Sequence, residues 1–211
     1  RVNVINCGTG KGFRTIEDRQ QLESVREKYK LNDRFILFVG TFSPRKNLYR
    51  LIKAFKLLKE EYAIPHKLVI VGEKGWKFNR ETELLRHEKV AEDIVFPGYI
   101  PDEDLPFIYN IADITVYPSV YEGFGLPVIE SMACGTPVAL SSSSCLPEIA
   151  GDTALYFNPM NEKDMAEKMY KLLTDNLLYN EIKAKGLKRA KMYSWDKAAG
   201  ELLDVFESFD T

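Results

Sequence analysis

Two glutamates, Glu122 and Glu130, bracket the seven residues Gly123-Phe124-Gly125-Leu126-Pro127-Val128-Ile129. Two carboxylates facing one ligand suit acceptance of several hydroxyl donors, such as those of a sugar. A carboxyl pair is also the acid and base of glycoside hydrolysis, which needs the groups about 5–10 Å apart, a distance that spacing along the chain does not supply. The residues between them favour an anion. Gly123 and Gly125 let a ligand approach without a Cβ in the way, and Pro127 suits the first turn of a helix. At such a start the N–H groups from Gly123 to about Val128, Pro127 excepted, have no intrahelical acceptor, and the helix dipole favours negative charge there. A phosphorylated sugar satisfies both halves of this description.

An anion also needs cations, and Ser43-Pro44-Arg45-Lys46-Asn47 follows an apolar run ending at Gly40. In a parallel sheet flanked by helices, ligands bind beyond the carboxyl ends of the strands, which places Arg45 and Lys46 at the same edge as Glu122. A planar fork beside a point charge makes a workable clamp for a diphosphate.

Other segments fail closer tests. Gly8-Thr9-Gly10-Lys11-Gly12 has Ile5 and Gly12 where a Walker loop needs Gly and Ser or Thr, and Phe13 where the dinucleotide fingerprint needs Gly. It reads as a loop. Asp102-Glu103-Asp104 matches an Asp-x-Asp metal motif in form. It follows Pro101 and leads into the periodic Leu105, Ile108 and Ile111, so Asp102 is expected to cap a helix, and no metal is expected. Cys7, Cys134 and Cys145 show no CxxC spacing, and His66 and His87 have no ligand partners at useful intervals, which fits a reducing compartment without structural zinc.

The elements that must position these residues alternate along the chain. Strands are expected at Val2–Asn6, Phe35–Gly40, Lys67–Val71, Ile94–Phe96, Ile114–Tyr117, Pro137–Leu140 and Leu155–Phe157. Leu48, Leu51, Ile52, Phe55 and Leu58 recur at helical intervals between Asn47 and Glu60. Similar helices are expected over Ile16–Tyr29, Thr82–Lys89, Glu103–Ile111, Pro127–Cys134, Glu162–Leu173, Leu178–Met192 and, behind a Ser194 cap, Trp195–Phe209. Strands such as Phe35–Val39 are apolar throughout, so both faces should be covered, which predicts a doubly wound α/β sheet. The last helix carries Leu202, Leu203, Val205, Phe206 and Phe209 and is expected to pack on something.

Composition narrows the function. The 211 residues include 29 Lys+Arg and 31 Asp+Glu, a net charge of −2, so no global positive field attracts nucleic acid or anionic lipid. The longest apolar run, Phe35–Val39, falls far short of the roughly 20 residues of a membrane span. The chain starts at Arg1 with no signal-peptide pattern, which suggests a piece of something longer.

At this point the residues resemble the retaining family 4 glycosyltransferases of the GT-B fold, whose signature E-G-F-G-L-P-x-x-E is reproduced from Glu122 to Glu130. The similarity extends through Phe38-Val39-Gly40-Thr41, Pro44-Arg45-Lys46-Asn47-Leu48, Ile70-Val71-Gly72-Glu73-Lys74-Gly75-Trp76, Phe96-Pro97-Gly98-Tyr99-Ile100-Pro101 and Leu146-Pro147-Glu148-Ile149-Ala150-Gly151-Asp152. It is greatest to the mannosyltransferase-like branch that builds polysaccharides.

The resemblance implies a Rossmann-like donor domain at 1–193, one half of a GT-B fold, with 194–211 a helix returning toward an N-terminal domain that carries the acceptor site. It implies that Glu130 binds the ribose and Glu122 the donor sugar's hydroxyls. Gly123, Phe124, Gly125 and Leu126 would present amides to sugar and phosphate, Arg45 and Lys46 would neutralise the diphosphate, and Gly98, Tyr99 and Ile100 would line the base pocket beside Gly40 and Thr41. One departure is Thr41, where many members carry Arg; Arg45 is the candidate replacement.

The donor would be GDP-mannose or a UDP-hexose, used without metal, and the acceptor a glycan or lipid-linked sugar met in the cytoplasm or at the inner membrane face. The chain by itself is expected to bind donor and transfer little sugar. A stand-alone nucleotide-binding module is the alternative, and a GT-B epimerase or phosphorylase relative a weaker one, since no cofactor-lysine context is found.

Overall fold

The computed structural model describes residues 2–73 and 89–209. The helix expected to begin at Thr82, and Lys74-Gly75-Trp76, fall outside them. Strands β1 (Phe35–Val39), β2 (Lys67–Val71), β3 (Ile94–Gly98), β4 (Ile114–Tyr117), β5 (Val138–Ser141) and β6 (Ala154–Phe157) form one sheet in the order β3-β2-β1-β4-β5-β6, with every pairing parallel. β1 and β4 are neighbours in space but not in sequence, so the winding reverses between them. That reversal opens a crevice beyond their carboxyl ends.

The helices are α1 (Arg19–Lys28), α2 (Leu48–Tyr62), α3 (Leu105–Ile111), α4 (Leu126–Ala133), α5 (Leu146–Ala150), α6 (Glu162–Thr174), α7 (Asn176–Ala190) and α8 (Trp195–Glu207). They cover both faces, and the two-residue period of β1 shows how. Ile36 and Phe38 join Leu51, Ile52 and Phe55 of α2 with Met165, Met169 and Leu172 of α6. Phe35, Leu37 and Val39 point the other way, toward Val25 of α1 and Ile108 and Tyr109 of α3. Every residue of β1 is buried, as an all-apolar strand in a covered parallel sheet must be. Side-chain caps start several helices: Asp18 on α1, Asn161 on α6 and Ser194 on α8 each accept backbone N–H groups.

Two expectations are corrected. Val2–Asn6 is not a strand, and Val2 and Val4 are 93% and 77% exposed. A strand exists only through a ladder, and the pairing formed in this region is one parallel bridge, Thr9 to Ser194. Nor does Asp102 cap a helix. A turn spans 102–104, α3 starts at Leu105, and Asp104 at its cap position makes no capping bond. The Asp104 carboxylate instead accepts Lys28 Nζ and Tyr29 Oη at 2.6 Å each, which ties α3 to α1. A charge-assisted pair outcompetes a local cap there.

At the opposite sheet edge, His66 is 3% exposed and both ring nitrogens lack hydrogen-bond partners. Asp113 Oδ2 lies 3.6 Å from Nε2, but the Asp113 carboxylate is already engaged by Arg34 and the Phe35 N–H. Burial holds the imidazole below its ordinary pKa, and Asp113 only partly offsets this. The unfolded chain therefore takes up a proton that the fold resists, so stability present above about pH 6.5 is lost as pH falls through that value. Urea unfolding at neutral and mildly acidic pH should show a greater loss for wild type than for His66→Phe. One proton limits the difference to about 1.4 kcal/mol per pH unit. Equal losses would mean that His66 does not contribute.

Candidate functional site

The crevice at the winding reversal is built from two strand exits. After β1, Gly40 and Thr41 lead to a single 3₁₀ turn, Pro44–Lys46, that delivers both cations. After β4, residues 118–125 run to α4. Two ties join the two exits: the Val120 N–H donates to the Arg45 carbonyl at 2.9 Å, and Asn47 Nδ2 donates to the carbonyl of Pro118 at 3.1 Å; the same amide also reaches the carbonyl of Pro159, past β6, at 2.7 Å. Asn47 has φ +59, a left-handed conformation that asparagine tolerates better than most residues.

The structure brings Arg45, Lys46 and Glu122 together. Glu122 Oε2 accepts Arg45 Nη1 at 2.5 Å, and Glu122 Oε1 lies 2.7 Å from Lys46 Nζ as an ion pair outside hydrogen-bonding angles. Lys46 Nζ also donates to the Tyr117 hydroxyl at close range. Lys46 and Glu122 are 6% and 7% exposed, whereas the Arg45 side chain is 49% exposed. Burial lowers the Lys46 pKa against the pull of Glu122. Burial pushes Glu122 the other way, but the nearby Lys46, Ser119 and Arg45 outweigh it and hold its carboxyl below the usual range. Glu122 is therefore an anion shared by two cations.

The backbone of Glu122 is braced from β5. Its N–H donates to Ser144 Oγ at 3.3 Å and its carbonyl accepts the same hydroxyl at 2.8 Å, while Cys145 Sγ donates to the carbonyls of Glu122 and Phe124 at 3.2 and 3.3 Å. Among the described residues, no acceptor takes the N–H groups of Gly123, Phe124, Gly125 or Leu126. A Cβ at Gly123 would meet nothing within 4 Å, so this side of the loop is open. Gly125 differs: φ is +107 and a Cβ would lie 2.9 Å from Leu146, so glycine is required there. The Phe124 ring packs edge-on against Tyr193 at 5.8 Å and anchors the loop.

Beside this cluster, a cleft of about 290 Å³ is lined by Gly40, Thr41, Gly72, Glu73, Tyr99, Ile100 and Asp102, among others. Tyr99 is 61% exposed, and Gly98 turns the chain at φ +84. A larger groove of about 570 Å³ runs between residues 11–21 and 102–107, sharing Asp102 with the first. The smaller cleft is the better ligand site because it sits on the strand ends. Among the described residues, no group of three His, Cys, Asp or Glu could hold a metal.

Glu130, on α4, stands apart from the cation cluster. Its Oε2 accepts the Tyr109 hydroxyl at 3.0 Å. Burial raises its pKa to about 7; Tyr109 opposes the rise and Asp102 adds to it. Tyr109, Tyr117, Ser144 and Cys145 carry no sequence signal of their own as site residues, because aromatic residues in apolar periods read as core. The run Ser141–Ser144 is a turn signal that marks the second brace only once β5 is placed beside β4.

Comparison with known proteins agrees with this architecture. The family model for glycosyl transferases group 1 matches residues 20–189. The chain is 36% identical over 184 residues to O-antigen chain mannosyltransferase B of Escherichia coli, covering 87% of this chain and 48% of that protein. It is 35% identical over 214 residues to the serotype-specific mannosyltransferase WbdA of Escherichia coli, covering 98% of this chain and 26% of that protein. The chain thus spans less than half the length of these relatives. Among solved structures, sucrose-phosphate synthase of Thermosynechococcus elongatus superposes with a TM-score of 0.84 at 27% identity, over 98% of this chain and 52% of that one. A glycosyltransferase of Rickettsia africae shares the fold with a TM-score of 0.86 at 22% identity, over 98% of this chain and 56% of that one. The six-stranded parallel sheet is the Rossmann-like sheet of GT-B glycosyltransferases, and the chain belongs to the group 1 glycosyl transferases.

Proposed function

We propose that this chain is the donor-binding half of a retaining family 4 hexosyltransferase, which moves a sugar, mannose by preference, from a nucleoside diphosphate to a glycan or lipid-linked acceptor. The observation that carries the reading is the Arg45–Lys46–Glu122 cluster, placed under an open glycine loop at the winding reversal. The nucleoside occupies the 290 Å³ cleft, with its ribose hydroxyls donating to Glu130. The sugar lies over Gly123, where Glu122 accepts its hydroxyls. Breaking the sugar–phosphate bond leaves charge on the diphosphate, which Arg45, Lys46 and the loop N–H groups are placed to stabilise.

The low pKa of Glu122 and the raised one of Glu130 would also suit a hydrolytic acid and base. Family membership and the two cations on Glu122 favour transfer. The relatives' mannosyltransferase names support mannose, and the solved complex of Anabaena HepE with UDP and glucose supports a nucleotide-sugar donor. The exposed stripe of Leu202, Leu203 and Phe206 on α8 supports its packing against an N-terminal domain that holds the acceptor. Contact with a lipid-linked acceptor at the inner membrane face is assigned to that domain; no helix among the described residues is long and apolar enough to cross a membrane.

Calorimetric titration with GDP, UDP, ADP and their sugar conjugates tests the reading. A guanosine or uridine donor should bind, and failure of all of them in a folded sample would overturn it. Ribose hydroxyls favour the ionised Glu130 carboxylate. Affinity should therefore rise with pH toward about 7, by no more than about tenfold per pH unit, and level off above. With a sugar conjugate as ligand, whose doubly esterified diphosphate keeps its charge over that range, Glu130→Gln should bind more weakly with a flat profile; a slope that persists in the variant would remove Glu130 from the ribose.

A further inference from the structure

We propose that Tyr109 is a positioning residue for the nucleotide: its hydroxyl fixes the Glu130 carboxylate and sets the pH at which that carboxylate can accept ligand hydroxyls. The proposal rests on the reading that Glu130 meets the ribose. Tyr109 is fully buried on α3, and its hydroxyl donates to Glu130 Oε2 at 3.0 Å, leaving Oε1 without a hydrogen-bond partner among the described residues.

The tyrosine is held at both ends. Its carbonyl accepts Thr136 Oγ1 at 2.6 Å just past α4, and its ring meets Phe13 edge-on at 5.9 Å. Thr136 in turn is tied by its carbonyl to Ser131 Oγ at 2.9 Å, on the helix that bears Glu130. The donor and the carboxylate are therefore fixed relative to one another before any ligand arrives, which reduces the ordering cost of binding.

The surroundings leave this bond as the main support for the anion. From the turn before α3, Asp102 opposes ionisation. Cys134, just past the end of α4, is pushed up to about 12 and Tyr117 on β4 well above its ordinary value, so both stay neutral. Among the described residues no cation contact offsets them; Lys46 and Arg45 are committed to Glu122. A phenol hydrogen bond to a carboxylate stabilises the charged form, and its loss shifts ionisation toward higher pH.

The test compares wild type, Tyr109→Phe and Glu130→Gln. Carbon-13 NMR of the Glu130 carboxyl in the unliganded chain should show its midpoint moving up by about one pH unit in Tyr109→Phe. The midpoint for affinity of GDP-mannose or UDP-glucose, whichever binds, should move with it, since their diphosphates do not titrate in this range, and affinity well above the midpoint should fall only slightly. Should Tyr109→Phe fail to fold, 3-fluorotyrosine at position 109, a stronger donor of nearly the same size, should move the midpoint down. An unchanged carboxyl midpoint, or a uniform loss of affinity at every pH, would overturn the proposal. If the carboxyl midpoint moves but wild type binds no nucleotide at any pH, the donor-binding reading fails and the nucleotide role of Tyr109 with it, while the Tyr109–Glu130 bond stands.

Discussion

Alanine in place of Lys46 is expected to lower sugar transfer by about 10²–10³-fold, the usual effect of removing one preorganised group from developing charge. Lys46 is the inner cation of the cluster, buried against Glu122 and the Tyr117 hydroxyl. In the low-dielectric interior its charge acts more strongly on a leaving diphosphate than the half-exposed Arg45 does. The loss should appear in kcat, because charge on the leaving group is greatest in the transition state. Glu130→Ala should act mainly on KM, since ribose contacts are alike in ground and transition states. Steady-state kinetics of this chain joined to the N-terminal domain proposed above, with both variants beside wild type, makes the comparison. Equal losses of transfer with unchanged nucleotide affinity would count against both roles. The 211-residue chain alone should bind donor and transfer little, and detectable transfer by it would refute its being only the donor half.

The second large effect is on stability. Glu122→Ala removes the anion from a buried lysine, and breaking a buried pair in this way costs about 3–5 kcal/mol, because the remaining charge is left without compensation. Arg45 does not relieve it, being a cation itself. Replacing both partners by apolar residues of similar volume, Glu122→Leu with Lys46→Met, should recover most of that loss of stability while sugar transfer stays as low as in Lys46→Ala. Urea denaturation of the single and double variants reads this directly. If Glu122→Ala is as stable as wild type, Lys46 has reached solvent and the cluster is less closed than its exposure implies. Sugar transfer restored in the double variant would show that Lys46 does not stabilise the leaving diphosphate.

The backbone features of the loop between β4 and α4 were legible in the chain because they are local. Gly123, Gly125, Pro127 and the two flanking glutamates act through backbone freedom and helix-start geometry, which depend on near neighbours. The all-apolar Phe35–Val39 likewise declared a covered parallel sheet, and the period of Leu48, Leu51, Ile52 and Phe55 declared the helix that covers it. Local signals also misled. Val2–Asn6 has strand-like residues but no ladder, and Asp102 has a capping residue's type while the helix begins later. Both depend on what lies across space.

What residue order alone determined is therefore the class of sheet, the glycine-bearing turn from strand to helix and the presence of two cations near its edge. Tertiary structure decided the rest. Strand order β3-β2-β1-β4-β5-β6 put the exits of β1 and β4 side by side, so that Arg45 and Lys46 meet Glu122 across more than seventy residues of chain. Burial then fixed the charges, lowering the Lys46 pKa, keeping Glu122 an anion and raising Glu130 to about 7. Ser144 and Cys145 came to brace Glu122, and Tyr109 came to hold Glu130, only through the pairing of β4 with β5 and the packing of α3 beside α4. Periodicity and turn chemistry are properties of neighbouring residues; desolvation and charge pairing belong to groups that folding alone makes neighbours.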